Sequence, residues 1–294
     1  MTRYRFLVNK VAGSGKAPEL VERIARTMRG AGATVQVDTS LSAEHSRGAV
    51  AEAIAAGEVV VAAGGDGMLA SVAGSVVDGG GTLGIVPGGR GNDFARMLGL
   101  PDDPDAIART LLAANASPVD VICVETETGE RHVVLGSMYS GVDSLASEIV
   151  DASRRLPSAL QYPYAAVRSL LTYKPGGFTV TVDGETTEHD AYTVVVANSA
   201  YYGKGMKIAP AADVRDGLLD VVVLPAGSRL AMVRRLPKVY DGQHLDHEGV
   251  VVLRGRSVTV TADREVVAYG DGERLGPLPR TATVLPGALK VLVP

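Results

Sequence analysis

The stretch "VVVAAGGDGMLASV", Val59 to Val72, runs from apolar residues through glycines into a helical pattern. Its first half is continuously apolar, the composition of a strand buried on both faces. A strand that passes through small residues into a helix brings backbone N–H groups and a helix N-terminus to one point, where an anion is held favourably. Asp66 sits among those glycines and would repel a phosphate, unless a metal, a hydrogen-bonded sugar or an acid–base role explains it. An aspartate capping a tight strand-to-helix turn accounts for the same residues in many folds, so this stretch alone leaves both readings open. Met68 stands where a phosphate-gripping loop usually carries a hydroxyl.

Working outward, the first third alternates strand and helix signals. "RYRFLVN" reads as a strand. "APELVERIARTMRGAG" reads as an amphipathic helix with Leu20, Ile24 and Met28 on one face, closed by Gly30 and Gly32. "TVQVDT" is a further strand, and Ser42 is placed to cap the helix that follows it. "TLGIVPGG" is another strand, after which "NDFARMLGL" opens a helix. Such alternation predicts an open, mainly parallel sheet, and ligands of these sheets bind at the carboxyl ends of the strands. Those ends are Asn9 to Gly15, Thr39, Gly64 to Met68, and Gly88 to Asn92.

Beyond residue 117 the pattern changes. Segments such as "VDVICVET", "GFTVTVDG", "AYTVVVANS" and "SVTVTAD" alternate with Gly, Asp and Pro turns, as in an antiparallel sandwich. Helical patterns interrupt them near 143–173 and 228–239. The expected boundary is Ser117–Pro118. It separates an α/β domain (1–118) from a β-rich domain (119–294).

Composition narrows the function. The 294 residues are 46% hydrophobic and 21% charged, an ordinary soluble balance. A formal net charge of −4 argues against a nucleic-acid partner, although Arg154-Arg155 and Arg234-Arg235 are local basic pairs. One cysteine, Cys123, excludes an intrachain disulfide and a cysteine-based zinc site, and its apolar surroundings place it in a strand core. No signal-peptide pattern opens the chain and no apolar run is long enough to span a bilayer. A cytoplasmic protein is expected, with any membrane contact peripheral at the inner face. His244 and His247 in "HLDHE" lack further metal ligands and read as solvated or capping.

Two more loops resemble phosphate cradles. "PGGRGNDFAR" (87–96) carries Gly89, Arg90, Asn92 and Asp93 into a helix start. "NKVAGSGK" (9–16), with Asn9, Gly13 and Lys16, lacks Walker A spacing, and Lys16 is either a phosphate contact or a solvated lysine. In this order the three loops resemble the catalytic domain of the diacylglycerol kinase family, above all its soluble bacterial lipid kinases. That family has an Asn-Pro-x-[Ala/Ser]-Gly loop, then Gly-Gly-Asp-Gly-Thr, then Gly-Thr-x-Asn-Asp, and it shares the Gly-Gly-Asp-Gly element with NAD kinases. "ADVRDGLLDVVVL" (212–224), "YGDGE" (269–273) and "LPGALKVLVP" are similar to its later motifs, so the resemblance covers essentially the whole chain. Lys10, Met68 and Arg90 depart from it. Two hydroxyls are lost, each worth about 0.5–1.5 kcal/mol net, and a charge-assisted contact from Arg90 is the expected substitute.

The resemblance implies ATP and Mg²⁺, with γ-phosphate transfer to a lipid hydroxyl, diacylglycerol first, at a peripheral membrane surface. It implies Asp271 as general base with Glu273 as the other candidate, although Asp-Gly is also a strong hairpin signal. It implies a metal held by Asp213, Asp216 and the carbonyl of Leu218, linked through water to Asp66. The nucleotide set is Asn9, Gly13, Lys16, Thr39, Gly64, Gly65, Asp66, Gly67, Met68, Gly89, Arg90, Asn92 and Asp93. Phosphorylation of a soluble acceptor, as in NAD kinase, and a nucleotide-binding regulator with weak chemistry are the other functions left open. A homodimer is left open too. "LPSALQYPYAAVRSLLTY" (156–173) reads as a packed helix, with a lipid entrance or a membrane-facing helix as the alternatives.

Overall fold

The computed structural model describes residues 2–9, 17–89, 91–126, 129–153 and 158–294. The expected contacts of Lys10, Gly13, Lys16 and Arg90 fall outside the described residues.

In chain order the first half is β1 (Arg3–Val8), α1 (Ala17–Gly30), β2 (Thr34–Thr39), α2 (Ala43–Ala55), β3 (Val59–Gly64), α3 (Asp66–Gly79), β4 (Thr82–Pro87), α4 (Asp93–Met97) and α5 (Pro104–Ala113). The strands are parallel in the order β4-β3-β1-β2. The order reverses between β1 and β3, and this switch point is where an open α/β sheet has a crevice. Local rules place the helices: Ser42 accepts the His45 N–H at 3.1 Å to start α2, and Asp103 accepts from Ala106 with Pro104 opening α5. Val21, Ile24, Ala25 and Met28 of α1 pack on one face of the sheet, and Leu69, Val72, Ala73 and Val76 of α3 on the other.

The second half is β5 (Ala116–Glu125), β6 (Arg131–Val134), β7 (Ser137–Gly141), α6 (Val142–Ala152), α7 (Ser158–Thr172), β8 (Gly176–Val182), β9 (Glu185–Ala197), β10 (Leu219–Pro225), α8 (Arg229–Arg235), β11 (Val251–Gly255), β12 (Ser257–Ala262), β13 (Val267–Gly270), β14 (Glu273–Pro277) and β15 (Arg280–Leu292). It is an antiparallel sandwich-like region. β9 is long enough to belong to two layers: residues 185–191 pair with β8, while residues 191–197 pair with β7 and β10. Alternate residues such as Val180, Val194, Val196, Val221, Val258 and Val284 fill the space between the layers. Cys123 is buried in β5 between Ile122 and Val124, which face that space.

The two halves share hydrogen bonds. β15 runs antiparallel to β5 and then meets β4 in parallel at Lys290 and Val291. Within the second half, Asp120 is a buried staple, accepting N–H bonds from Gly217 and Gly287 at 2.7 Å each.

Candidate active site

The carboxyl edge of the parallel sheet is built by backbone approach. A Cβ at Gly89 would lie 2.4 Å from the Gly65 Cα, and one at Gly91 would lie 2.7 Å from Asp66 Oδ2, so only glycine allows the two loops to touch. Gly88 donates its N–H to the Gly64 carbonyl at 2.8 Å. Asn92, in a left-handed conformation, accepts from Gly89 N at 2.9 Å. Gly65 is the N-cap of α3 and offers no side chain, so the first turn of α3 has no side-chain cap of its own. Asn9 ends β1 beside Ala63, to whose carbonyl its N–H donates. Thr39 ends β2, paired with Val8. Met68 turns inward: its sulfur would be 2.9 Å from a Cβ on Gly64, and its side chain packs on the buried cluster of the first domain.

Asp66 does not face this edge as an unshared charge. Its two oxygens accept the N–H groups of Asn92 and Asp93, at 2.9 and 2.8 Å. Asp93 in turn accepts from Lys204 and Gly205, at 2.8 and 2.7 Å, and thereby ties the loop after β4 to the loop after β9. Burial pushes the Asp93 carboxyl up and Asp66 adds repulsion, while the two N–H donors pull it back.

Asp271 completes the set. It lies with Gly272 in the two-residue turn between β13 and β14, both at positive φ, so the hairpin expected from Asp-Gly is present. The side chain folds back onto the break between β6 and β7. Oδ2 accepts from Leu135 N at 2.6 Å, and Oδ1 accepts from Gly136 N and Ser137 N at 2.9 and 3.2 Å. Burial raises its pKa to about 6 despite these three donors, with Asp66 adding repulsion. Glu273 is exposed on β14, and its Oε1 would be 3.5 Å from a Cβ on Gly67. One turn thus carries both acidic candidates to the start of α3.

The sequence did not single out the frame behind Asp271. Asn198, fully buried, donates to the carbonyls of Asp120 and Leu135 at 2.9 Å each, and its own N–H reaches Gly136 O at 2.8 Å. It positions the peptide whose N–H groups hold Asp271. The available signal was an asparagine ending the apolar run "VVVAN", a place where a strand gains nothing from a carboxamide.

A cavity of about 750 Å³ joins these groups to the second domain. At one end it is lined by Gly65, Asp66, Gly67, Asp93 and Asp271, and at the other by Val142, Ala146, Val150, Leu170 and Met232. Tyr139 stacks on Tyr269 at 6.1 Å and meets Tyr202 edge-on at 5.9 Å. Asp143 accepts from Thr193 Oγ1 at 2.9 Å, and burial raises its pKa. His244 belongs to this wall too, buried with Nε2 3.0 Å from the Ile208 carbonyl, which corrects the solvated role expected of it.

Asp213 and Asp216 lie away from this wall, in the loop before β10. Asp213 accepts from Arg215 N at 3.1 Å and Asp216 from Leu218 N at 2.9 Å. The other Asp216 oxygen pairs with the Arg254 guanidinium, which also lies 3.5 Å from buried Asp220. Burial and Asp216 push the Asp220 carboxyl up, and Arg254 opposes them. As folded, these oxygens do not fit a divalent ion, because Arg254 takes the cation's place; among the described residues no group of three or more His, Cys, Asp and Glu side chains is placed to hold a metal.

Comparison with known proteins places this architecture. The diacylglycerol kinase catalytic domain model matches residues 3–124, and the YegS C-terminal NAD kinase beta sandwich-like domain model matches 136–293. "Diacylglycerol kinase" of Mycobacterium tuberculosis is 30% identical over 98% of this chain and 94% of its own length. "Probable lipid kinase YegS-like" of Klebsiella pneumoniae is 27% identical over 81% of this chain and 78% of its own. The crystal structure of a diacylglycerol kinase from Bacillus anthracis superposes with a TM-score of 0.77 at 21% identity, covering 99% of this chain and 97% of that one. The fold and site define a two-domain kinase with a cleft between its domains. The chain belongs to the diacylglycerol kinase and YegS-like family of lipid kinases.

Proposed function

We propose that this chain transfers the γ-phosphoryl group of ATP to the free hydroxyl of diacylglycerol, giving phosphatidic acid, at the cytoplasmic face of a membrane. Residues 1–118 receive the nucleotide and residues 119–294 the acceptor. The observation that carries this reading is the continuous cavity, with backbone-lined glycine loops at one end, an apolar chamber at the other and Asp271 on its wall. Acyl chains suit walls of Val142, Ala146, Val150 and Leu170, whereas a dinucleotide acceptor calls for polar ones.

In the proposed reaction the N–H groups around Gly65, Gly67 and Gly89 and the start of α3 bind phosphate oxygens. Asn9, Thr39, Gly64, Asn92 and Asp93 shape the surrounding pocket, and Met68 contributes packing and its backbone N–H. Mg²⁺, entering with the triphosphate as part of the substrate, would supply charge neutralisation at the phosphates. Asp271 accepts the acceptor's hydroxyl proton while the oxygen forms its bond to the γ-phosphorus and the bond to ADP breaks. Leu135, Gly136 and Ser137 hold the carboxylate still by their N–H bonds, and Glu273 flanks the α3 start.

The test offers γ-labelled ATP and Mg²⁺ with a panel of diacylglycerol, polyprenol, sphingoid and NAD acceptors, and resolves the labelled products. Labelled phosphatidic acid is the expected result. Label on NAD alone overturns the reading in favour of a soluble acceptor, and nucleotide binding without product from any acceptor favours a regulator.

A further inference from the structure

Helix α7 is apolar on two sides. Its inner face supplies Ala165, Ala166, Ser169 and Leu170 to the chamber. Its outer face carries Leu160, Tyr164, Val167 and Leu171, at i, i+4, i+7 and i+11, on one stripe. These are 56%, 38%, 39% and 50% exposed. A helix packed only as core would turn polar residues outward here. Of nine large hydrophobic side chains that are exposed among the described residues, six lie in α7 or in residues 230–240, the other two being Leu230 and Tyr240. Arg229 donates to the Tyr173 carbonyl at 3.4 Å, which brings the start of α8, with Leu230, to the end of the α7 stripe.

The charge on the two segments that form this ridge is one-sided, with exposed Glu148 on the neighbouring α6 as the nearby exception. Segments 158–174 and 227–240 contain Arg168, Lys174, Arg229, Arg234, Arg235 and Lys238 and no Asp or Glu, in a chain of net charge −4. Arg168 is held at the edge of the stripe by Tyr164, with its guanidinium 5.6 Å from the ring centroid. An apolar ridge bordered by cations suits the surface of an anionic bilayer, where apolar side chains enter the headgroup boundary and Lys and Arg meet lipid phosphates. No helix among the described residues is long and apolar enough to cross a membrane, so the helix would lie on the surface.

We infer that the outer face of α7, extended by Leu230, is the docking surface for an anionic lipid bilayer, and that α7 is at once the roof of the acceptor chamber and the membrane anchor. This rests on the lipid-kinase reading for its purpose and on the exposed ridge for its place. An acceptor lipid would then reach the chamber around the edge of α7 without crossing water.

The test is co-sedimentation of the full chain, without nucleotide, with vesicles of phosphatidylcholine or of phosphatidylglycerol mixed with phosphatidylcholine. The wild type is expected to bind the anionic vesicles and to be released by salt. The Leu160→Ser/Leu171→Ser/Leu230→Ser variant and the Arg168→Glu/Arg229→Glu variant are each expected to lose on the order of tenfold in partitioning. Both should retain the wild-type phosphorylation rate on detergent-dispersed acceptor, which shows that they are folded. Equal binding by wild type and variants, equal binding to neutral and anionic vesicles, or no vesicle binding at all overturns the inference. A dimer in sedimentation velocity that the triple serine variant abolishes overturns it in favour of a second copy on this face. Because binding is read without turnover, vesicle binding with no lipid phosphorylated would remove the kinase reading and leave the docking surface standing.

Discussion

At the carboxyl edge of the parallel sheet the surface offered to a ligand is almost wholly backbone, whereas the wall of the chamber is almost wholly side chain. The edge is made by glycines that let two loops touch, as at Gly65 and Gly89. The chamber is assembled from residues as far apart in sequence as Tyr139, Leu170, Tyr202 and Val239. Backbone recognition suits a ligand whose phosphates are always the same, while a side-chain wall sets volume and polarity for one acceptor. The contrast teaches where the two halves must be rigid, and Asp271 is the point at which they meet. Its carboxylate comes from one hairpin and its three N–H donors from the break between β6 and β7.

Replacing that carboxylate should produce the largest effect. Asp271→Asn is expected to lower kcat by about 10²–10⁴-fold, the usual contribution of a positioned base. It also leaves at least one of the three N–H groups unpaired, at a cost of about 1–3 kcal/mol in stability. If Asp271 is the base, its reactive form is the carboxylate, so kcat/KM should rise with pH through about 6 and level off above it. Stability runs the other way. The folded carboxyl binds its proton more tightly than in the unfolded chain, so its contribution to folding is complete below the ordinary carboxylate value and is lost as pH rises from there through about 6. A pH–rate profile with no limb near 6 would remove Asp271 from the role of base.

The two sides of the comparison separate in a second pair of variants. Gly89→Ala places a Cβ 2.4 Å from the Gly65 Cα and forces two backbones apart. A loss of about 1–3 kcal/mol of stability and a weakened nucleotide KM are expected. Ala146→Leu adds volume to the chamber wall, away from the glycine loops. It should raise the lipid KM roughly tenfold while leaving the nucleotide KM unchanged. Thermal melts and two-substrate kinetics read both, and a nucleotide KM that moved with Ala146→Leu would mean the two ends are coupled.

The same contrast explains what the sequence disclosed. The glycine edge was legible because its signal is local: "AGGDG" and "PGGRGND" each carry strand, turn and helix start within a few residues. The general plan of a parallel sheet followed by an antiparallel sandwich was legible from the change of period near Ser117. The return of β15 to β4 was not, because a parallel pairing between Leu83 and Val291 leaves no local trace. Asn198 and the Leu135–Ser137 peptide were missed for a similar reason, since their role exists only once Asp271 folds onto them. At residue 68 the sequence reads as the loss of a hydroxyl, and the Met68 side chain brings no polar group in its place. It packs toward Gly64, so residue 68 presents backbone where other sequences offer a hydroxyl.

Arg254 supplies the smallest test, and it probes a part of the second domain that neither side of the comparison uses. Its guanidinium bridges Asp216 and Asp220, where the family resemblance implied a divalent ion. If Arg254 serves as the cation of this loop, Mg²⁺ should leave the wild-type Tm unchanged in the absence of nucleotide. Arg254→Met removes the positive charge and keeps most of the side-chain volume, exposing Asp216 and buried Asp220 to mutual repulsion. The variant should melt a few degrees lower, and millimolar Mg²⁺ or Ca²⁺ should restore part of the loss, about 1–2 kcal/mol for an ion present at several times its Kd. Asp216→Asn in the same background should abolish that rescue, because the carboxylate is the ligand an incoming ion needs. A wild type that is itself stabilised by Mg²⁺, with Asp216→Asn removing the effect, would show instead that the ion displaces Arg254. The loop would then be a metal site held closed by its own arginine until the ion arrives.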